Sequence, residues 1–481
     1  MIAPLDVAAP APLLDDLNVA QRAAVVFGEG PALVLAGAGT GKTRVLTRRI
    51  AWLIATRRAR PSEILALTFT EKAAQEMEER VDTLVPFGFA DTTIATFHAF
   101  GRRLLDEFGM LLGLPGDLRV LTRAESVVFL RERLWQLPLE RLRPIGDPTR
   151  NLSRLVAHFG RLADEDIAPA AYAAFAARAV AAAAATGDEA AAERAALWRE
   201  LAAVYGRVQE LLPAAGLVDF AGLLSLSLRL VREHPAVREE LRRRYRYLLV
   251  DEFQDTNTAQ FELVRALAGP RPNLTVVGDD DQSIYRFRGA AISNILGFRE
   301  AYPAAATFVL TDNYRSTQAI LDAARRLIRH NDPERLEVKA GVDKRLVARG
   351  ARPDGPPVEH ASFDTPSSEA DWIAARIAAE VAAGHRSWGD FAVLVRRHAA
   401  TAPIAGALAV RAIPFRIAGG GGLFDRPEVS SCVEALRLLA DPGDDRAFYF
   451  LATSAIYDVP VLELARLAGQ ARRVHRPLED T

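Results

Sequence analysis

A glycine-rich run of eight residues, from Ala36 to Thr43, constrains the fold of this chain more than any other segment. It reads Ala-Gly-Ala-Gly-Thr-Gly-Lys-Thr, follows an apolar run and precedes a helical pattern. Glycines at alternate positions let the backbone curl so that consecutive N–H groups point at an anion, supported by the N-terminus of the next helix. The run predicts a phosphate-binding loop, in which Lys42 reaches the phosphates and Thr43 gives its hydroxyl to Mg²⁺.

Apolar runs along the chain predict the sheet that such a loop requires. Runs with the composition of buried strands occur at 31–36, 64–69, 247–250, 274–277, 307–310 and 391–395, and helical patterns such as 43–55 and 72–84 lie between them. Continuous apolar runs that alternate with helices are typical of a parallel sheet covered on both faces. The predicted fold class is therefore α/β, with a parallel sheet that carries the phosphate loop.

The segment 108–216 differs from the rest of the chain because it has no convincing strand pattern. Alanine accounts for 18 of the 29 residues from Ala168 to Ala196, which gives this part a strong intrinsic helix propensity. We therefore expect a helical insertion domain. Its surface either has no specific role or faces a partner or a nucleic acid, and the sequence leaves both alternatives open.

Composition excludes several classes of protein. The chain has 60 Lys and Arg against 61 Asp and Glu, a net charge of −1, which excludes a histone-like basic protein but not a local basic groove. The single cysteine, Cys432, excludes a disulfide framework and a cysteine-based metal site. No long apolar stretch and no signal-peptide pattern are present, so we expect a cytoplasmic protein without a membrane partner.

Lysine is rare in this chain. Only Lys42, Lys72, Lys339 and Lys344 are lysines among the 60 basic residues. A lysine that persists where arginine is otherwise used is a candidate for a site that a planar guanidinium does not fit. Lys42 in the phosphate loop has such a reason, whereas the sequence offers none for Lys339 or Lys344.

Acidic residues follow two of the predicted strands. Asp251 and Glu252 end the run 247–250, and Asp279, Asp280 and Asp281 followed by Gln282 come after the run 274–277. Two acids at the end of a buried strand repel each other unless a cation is present. With Mg²⁺ and ATP they have separate roles: Asp251 lies near the metal, and Glu252 polarises the attacking water.

Nine segments taken in chain order resemble the motifs of the UvrD/Rep/PcrA family of superfamily 1 DNA helicases. They are 17–21, 36–46, 67–74, 96–100, 218–220, 251–255, 278–289, 313–317 and 418–428. The resemblance implies two RecA-like domains with ATP between them and single-stranded DNA across their top. It divides the chain into a first RecA-like domain (1–107 and 217–310), its helical insertion (108–216), the start of a second RecA-like domain (311–440) and the start of a second insertion (441–481).

The resemblance also implies roles for individual residues. It assigns catalysis to Lys42, Glu252, Gln282 and Arg315. It assigns ATP binding to Gln21, Ala38, Gly39, Thr40, Gly41, Lys42, Thr43, Arg44 and Tyr314, with Gln21 at the adenine edge and with Arg44 and Tyr314 stacked on the ring. Mg²⁺ would be held by Thr43 and Asp251. DNA would be bound by Phe69, Thr70, His98, Tyr285, Phe287 and Arg288.

The function implied by the resemblance is an ATP-dependent 3′→5′ helicase or translocase, acting on single-stranded DNA and duplex junctions. Phe287 stands where many members have tryptophan, and Glu71, an acid near the expected DNA, stands where many have asparagine. The family's last two motifs are missing before Thr481, so we expect an incomplete N-terminal portion with impaired hydrolysis. It could be completed in trans or assisted by repair or recombination proteins. Alternatives are a non-catalytic ATP-gated DNA-binding or regulatory module, an RNA helicase, and a subunit of a helicase–nuclease complex.

Overall fold

The computed structural model describes residues 13–85, 91–270, 272–285, 293–350, 353–418 and 427–454, together with 456–457, 459–460, 463–464 and 467. The chain divides into two compact units, residues 1–358 and residues 359–481. The first unit contains the phosphate loop and the acidic motifs. Residues 311–350 also lie in this unit, and the five-segment domain division stays a prediction.

A six-stranded parallel sheet forms the centre of the first unit. Its strands are β1 (Ala32–Ala36), β2 (Ile64–Thr68), β3 (Thr93–Thr96), β6 (Tyr247–Val250), β7 (Leu274–Gly278) and β8 (Ala306–Leu310), in the order β3-β2-β6-β7-β1-β8. Two small parallel pairs accompany it: β4 (Arg119–Leu121) with β5 (Leu217–Asp219), and β9 (Asp312–Asn313) with β10 (Val347–Ala348). The α/β parallel-sheet prediction is confirmed.

Helices connect the strands. Those of the first unit are α1 (Val19–Val25), α2 (Lys42–Ala55), α3 (Glu71–Leu84), α4 (Phe97–Phe108), α5 (Arg123–Glu132), α6 (Leu152–Asp164), α7 (Pro169–Thr186), α8 (Glu189–Ala214), α9 (Phe220–Glu233), α10 (Pro235–Arg244), α11 (Thr258–Ala268), α12 (Ser293–Ala301), α13 (Gln318–Ile328) and α14 (Leu336–Lys339). Those of the second unit are α15 (Pro366–Ala382), α16 (Thr401–Val410), α17 (Pro427–Ala440) and α18 (Asp445–Ala452).

The sheet is buried on both faces, which explains why its strands are continuously apolar in sequence. Leu33 and Leu35 of β1 pack into one hydrophobic cluster, whereas Val34 and Ala36 pack into the other. Successive side chains of a strand point to opposite faces. A strand between two layers of helices therefore needs apolar residues at every position, and all five residues of β1 are buried.

The segment 108–216 is predominantly helical, as its composition predicts, with one correction. It contains a strand, β4, which pairs in parallel with β5 just beyond the insertion. The strand was missed because it has only three residues and its first, Arg119, is exposed. In the alanine-rich part α7 packs against α8, and Ala176 and Ala202 are buried in their shared core. Small side chains let the two helix backbones approach closely.

Within the described ranges no single helix combines the length and apolar composition needed to cross a membrane, although the bent pair Leu152–Asp164 and Pro169–Thr186 meets both criteria together.

Arg49 on α2 fixes the chain that leads into β1. The side chain is buried, and its guanidinium donates hydrogen bonds to the backbone carbonyls of Val25 at 3.1 Å and Phe27 at 2.5 Å and to the Thr275 hydroxyl at 3.0 Å. Burial lowers the pKa of Arg49 to about 10. These bonds satisfy carbonyls at the end of α1 that would otherwise be buried without partners.

In the second unit the predicted strand at 391–395 is wrong. These residues form no ladder with any described residue, and Leu394 is 93% exposed. An apolar run becomes a strand only when a neighbouring strand pairs with its backbone groups. The core of this unit lies instead between α15 and α16, where Ala374, Ile377 and Leu408 are buried.

Candidate nucleotide and nucleic-acid site

The predicted phosphate loop lies between the carboxyl end of β1 and the start of α2. Gly39 has φ of 77° and Gly41 has φ of 92°, conformations that favour glycine. A Cβ on Gly39 would lie 2.8 Å from the Asn313 side-chain nitrogen, and one on Gly41 would lie 2.7 Å from the Gln21 side-chain nitrogen. Both glycines are therefore required by backbone conformation and by close neighbours.

Three successive carbonyls of the loop accept hydrogen bonds from the protein. The Ala38 carbonyl accepts from Asn313 Nδ2 at 2.5 Å, the Gly39 carbonyl from the Tyr314 N–H at 2.9 Å, and the Thr40 carbonyl from Gln21 Nε2 at 2.8 Å. Oxygens held in this way are directed toward protein donors. This arrangement favours a loop whose N–H groups bind an anion.

Lys42 contacts the two other residues predicted to act on the terminal phosphate. Its ammonium donates to Glu252 Oε2 at 2.6 Å and to Gln282 Oε1 at 3.1 Å. The three residues follow β1, β6 and β7, which are neighbours in the sheet. Because the carboxyl ends of parallel strands meet at one edge, residues distant in sequence converge there.

Glu252 is held in an unusual backbone conformation. Its φ is 48°, in the left-handed region that non-glycine residues rarely adopt, and its N–H donates to Asp251 Oδ1 at 2.9 Å. Such a conformation costs about 1–3 kcal/mol and persists only where neighbours impose it. In this conformation the Glu252 carboxylate lies beside Lys42, and the side chain stays 34% exposed.

Gln254 is a site residue that the sequence reasoning missed. Its side chain is buried, its Nε2 donates to Glu252 Oε2 at 2.8 Å, and its Oε1 accepts from the Asp279 N–H at 3.0 Å. A Cβ on Gly278 would lie 2.7 Å from that oxygen. Gln254 thus joins the two acidic loops. Its place between Glu252 and Asp255 in the acidic motif was the available signal.

Asp251 and Asp255 carry carboxylates in an unfavourable environment. Burial first, and then the charge of Glu252, raises the pKa of Asp251 to about 6 and that of Asp255 to about 7, although Lys42 opposes both shifts. Asp255 Oδ1 and Thr68 Oγ1 are buried without a hydrogen-bond partner among the described residues. A set of oxygen ligands and buried carboxylates fits Mg²⁺, with Thr43 and Asp251 as the predicted ligands.

Asn18 connects the residues predicted to surround the adenine. Its side-chain NH₂ donates to the Tyr314 hydroxyl at 3.0 Å, and its backbone N–H donates to Gln21 Oε1 at 3.1 Å. Gln21 is buried, and both ends of its amide are engaged by the protein, since its Nε2 binds the loop. Arg44 is half-exposed and lies 3.9 Å from Asp16. The adenine assignments stay predictions.

Arg315 lies on the outer side of the loop. Its backbone N–H donates to Asn313 Oδ1 at 3.0 Å, and its Cβ would lie 2.6 Å from a Cβ on Gly39. The side chain is exposed. Arg315 therefore starts beside the phosphate loop without contacting the three-residue cluster around Lys42 through any described hydrogen bond.

Two of the predicted DNA-binding residues form an aromatic pair. The rings of Phe69, after β2, and Tyr285, after β7, stack with centroids 5.2 Å apart and planes 25° apart. Thr70 is exposed at the start of α3, and its hydroxyl accepts from the Ala73 N–H at 3.1 Å. Phe287 and Arg288 lie outside the described residues, as does most of the predicted segment 418–428.

His98 packs edge-on against Phe220, with ring centroids 5.7 Å apart. Burial lowers the pKa of His98, with Glu71 opposing, so the imidazole is neutral near neutral pH. Glu71 accepts a hydrogen bond from the Thr96 hydroxyl at 2.7 Å, and Thr96 also caps α4. The unusual acid therefore ties the segment after β2 to the one after β3. Phe220 is 53% exposed beside His98 and was not among the predicted site residues.

The fold and site together define a P-loop nucleotide-binding protein: a parallel sheet with a phosphate loop on one strand and an acid pair on another. The family model of the UvrD/REP helicase N-terminal domain matches residues 17–303, and that of the UvrD-like helicase C-terminal domain matches residues 308–479. The chain belongs to the UvrD/REP helicase family.

Several curated proteins are similar over nearly the whole chain. The ATP-dependent DNA helicase PcrA of Leuconostoc citreum is 35% identical over 465 residues, which cover 96% of this chain and 58% of that protein. The ATP-dependent DNA helicase UvrD1 of Mycobacterium tuberculosis is 38% identical over 445 residues, 90% of this chain and 53% of the relative. DNA helicase II of Escherichia coli is 36% identical over 443 residues, which cover 91% of this chain and 56% of that protein. The chain spans a little over half the length of these relatives.

Replacing Asp251 by asparagine should stabilise the nucleotide-free fold. The raised pKa means that the folded chain holds the proton more tightly than the unfolded chain, so the ionised carboxylate destabilises the fold above about pH 6. Asp251→Asn should raise the free energy of unfolding near pH 7 by about 1–3 kcal/mol. The gain should shrink as the pH falls below about 6 and should vanish at about pH 3, below the unfolded pKa of ~3.9, where the wild-type carboxyl is protonated in both states.

Urea unfolding across this pH range measures the effect. Asp117→Asn, at an exposed aspartate, is the matched control and should give no comparable gain at any pH. A lower free energy of unfolding in Asp251→Asn near pH 7 would show that the buried carboxylate does not destabilise the fold.

Proposed function

We propose that this chain is the ATP-hydrolysing and DNA-binding part of a helicase that moves along single-stranded DNA. One observation carries the proposal. The loop after β7 holds both Gln282, which contacts Lys42, and Tyr285, which stacks on Phe69. A change at the phosphates can therefore reach the aromatic pair within three residues of chain. The 3′→5′ direction rests on the family resemblance alone.

The contacts of Lys42 suggest how ATP binding prepares hydrolysis. Phosphate oxygens compete with Glu252 for the Lys42 ammonium, because a charge-assisted hydrogen bond to either is favourable. When Lys42 turns to the phosphates, the Glu252 carboxylate is freed to accept a proton from the attacking water. Gln254, which donates to Glu252, keeps that carboxylate in place.

Mg²⁺ neutralises charge on the phosphates when it is bound. Thr43 and Asp251 are the residues proposed to hold it. The cation would also offset the burial of the Asp251 carboxylate and its repulsion by Glu252, which together raise the pKa of Asp251. The same carboxylate that destabilises the free fold thus becomes a favourable ligand.

The aromatic pair suits a single-stranded nucleic acid. Aromatic side chains stack on bases regardless of sequence, each stack contributing about 1–3 kcal/mol. Phe69 and Tyr285 are both partly exposed, so a base can extend their stack. Single-stranded DNA is the proposed substrate, together with duplex junctions. Repair or recombination proteins are proposed partners.

Glu252→Gln should separate ATP binding from hydrolysis. Loss of the general base should lower the rate of DNA-stimulated ATP hydrolysis by about 10²–10⁴-fold. ATP should bind at least as tightly as to wild type, because a neutral amide competes less well for Lys42. Steady-state ATPase and fluorescent-nucleotide titrations measure the two effects, and the exposed Glu239→Gln is the control.

Two outcomes would contradict this account. Undiminished hydrolysis in Glu252→Gln would remove Glu252 from the base role. A wild-type chain that binds ATP and DNA without any turnover would favour the non-catalytic, ATP-gated binding module instead.

Tyr285→Ala should weaken binding of single-stranded DNA. Loss of one stacking surface should raise the dissociation constant about tenfold, which corresponds to ~1.4 kcal/mol. Tyr285→Phe keeps the ring and should bind as wild type does. Fluorescence anisotropy with labelled oligonucleotides measures both. Equal affinity of the alanine variant, or a preference for an RNA oligonucleotide of the same sequence, would contradict the assignment.

A further inference from the structure

Lys344 is buried among three aspartates that follow β7. Its ammonium donates to Asp279 Oδ1 at 2.9 Å, contacts Asp281 Oδ2 at 3.0 Å and also donates to Asp280 Oδ1. The Lys344 side chain is only 8% exposed. Burial by itself lowers the pKa of Lys344, but the three carboxylates outweigh it and raise the pKa above its usual value.

Arg335 is a second buried cation bound to this acidic loop. Its guanidinium forms two hydrogen bonds with Asp281, at 2.7 and 2.6 Å, and is 6% exposed. The backbone N–H of Leu336 donates to Asp280 Oδ2 at 2.7 Å. Buried charges persist when paired and hydrogen-bonded in this way. The segment 335–344 therefore holds the loop that carries Gln282.

A chain of hydrogen bonds leads from Lys344 to the phosphate loop. Asp279 accepts from Lys344 through Oδ1 and from Gln282 Nε2 through Oδ2, at 2.8 Å. The other end of the Gln282 amide, Oε1, accepts from Lys42 at 3.1 Å. Because Asp279 is bound at both oxygens, its carboxylate orients the Gln282 amide with the oxygen toward Lys42.

We infer that Lys344 is a positioning residue for ATP hydrolysis, acting through Asp279 on Gln282. The inference rests on the proposed function of the site. It gives a reason for a lysine in a chain that otherwise uses arginine. One compact ammonium can lie between three converging carboxylates, whereas a planar guanidinium distributes its donors over a wider fork. The side chain of Lys339, on the same segment, is 39% exposed, and its ammonium pairs with Glu334.

The test combines Lys344→Met with Gln282→Ala in the full chain. Lys344→Met should lower kcat for DNA-stimulated ATP hydrolysis by on the order of tenfold and leave KM for ATP within about twofold, as expected for lost orientation. In the Gln282→Ala background the same change should lower kcat by less than about twofold, because the two residues act on one path. Lys339→Met is the matched control and should change neither constant.

Equal losses of kcat in both backgrounds would overturn the inference, because a purely structural role of Lys344 would not depend on Gln282. Lys344→Arg keeps the charge and provides a second variant in case Lys344→Met does not fold. It should fold and still lower kcat at least about threefold. A wild-type kcat in Lys344→Arg would show that charge neutralisation alone is needed.

Hydrogen–deuterium exchange of the nucleotide-free chain separates this inference from the proposed function. Lys344→Met and Lys344→Arg should speed exchange at residues 278–283, and Lys339→Met should not. If the wild-type chain fails to hydrolyse ATP, faster exchange still supports the positioning path. Unchanged exchange at 278–283 in both Lys344 variants would overturn it whatever the ATPase result.

Discussion

The ammonium of Lys42, shared between Glu252 and Gln282, is the interaction on which the rest of the site depends. It joins the ends of three neighbouring strands and lets an acid remain at the end of a buried strand. The same contact makes the site responsive, because a phosphate and Glu252 compete for one cation. Binding of ATP is thereby coupled to the release of the residue proposed as the base, and through the loop after β7 to the aromatic pair.

The site carries features that oppose folding. Asp251 is a buried carboxylate with a raised pKa, and Glu252 has a left-handed backbone conformation. Each costs free energy that the surrounding structure must offset. Nearby interactions stabilise the site. The Gln254 amide makes hydrogen bonds at both its nitrogen and its oxygen, and two buried cations pair with the aspartates 279–281. The strained Glu252 and the unpartnered oxygens of Thr68 and Asp255 lie where Mg²⁺ and phosphate are proposed to bind.

Local patterns predicted much of the fold, and long-range contacts account for most of what the sequence did not show. The phosphate loop and the strand that begins at Tyr247 could be predicted. Glycine spacing and continuous apolar runs each have a direct physical relation to the structure they form. The role of Lys344 could not, since its carboxylate partners lie more than 60 residues away in the chain. Residues 391–395 show the opposite case: an apolar run that lacks a pairing neighbour among the described residues is not a strand.

The most direct test follows Lys42 itself, and the scarcity of lysine makes it practical. Labelling the four lysines with ¹⁵N gives four ammonium signals, of which Lys42 and Lys344 are protected by burial whereas Lys72 is 86% exposed. We predict that Mg²⁺ with a non-hydrolysable ATP analogue moves the Lys42 signal and leaves the Lys344 signal in place. A Lys42 signal that does not respond to the analogue would contradict the claim that phosphate displaces Glu252 from Lys42.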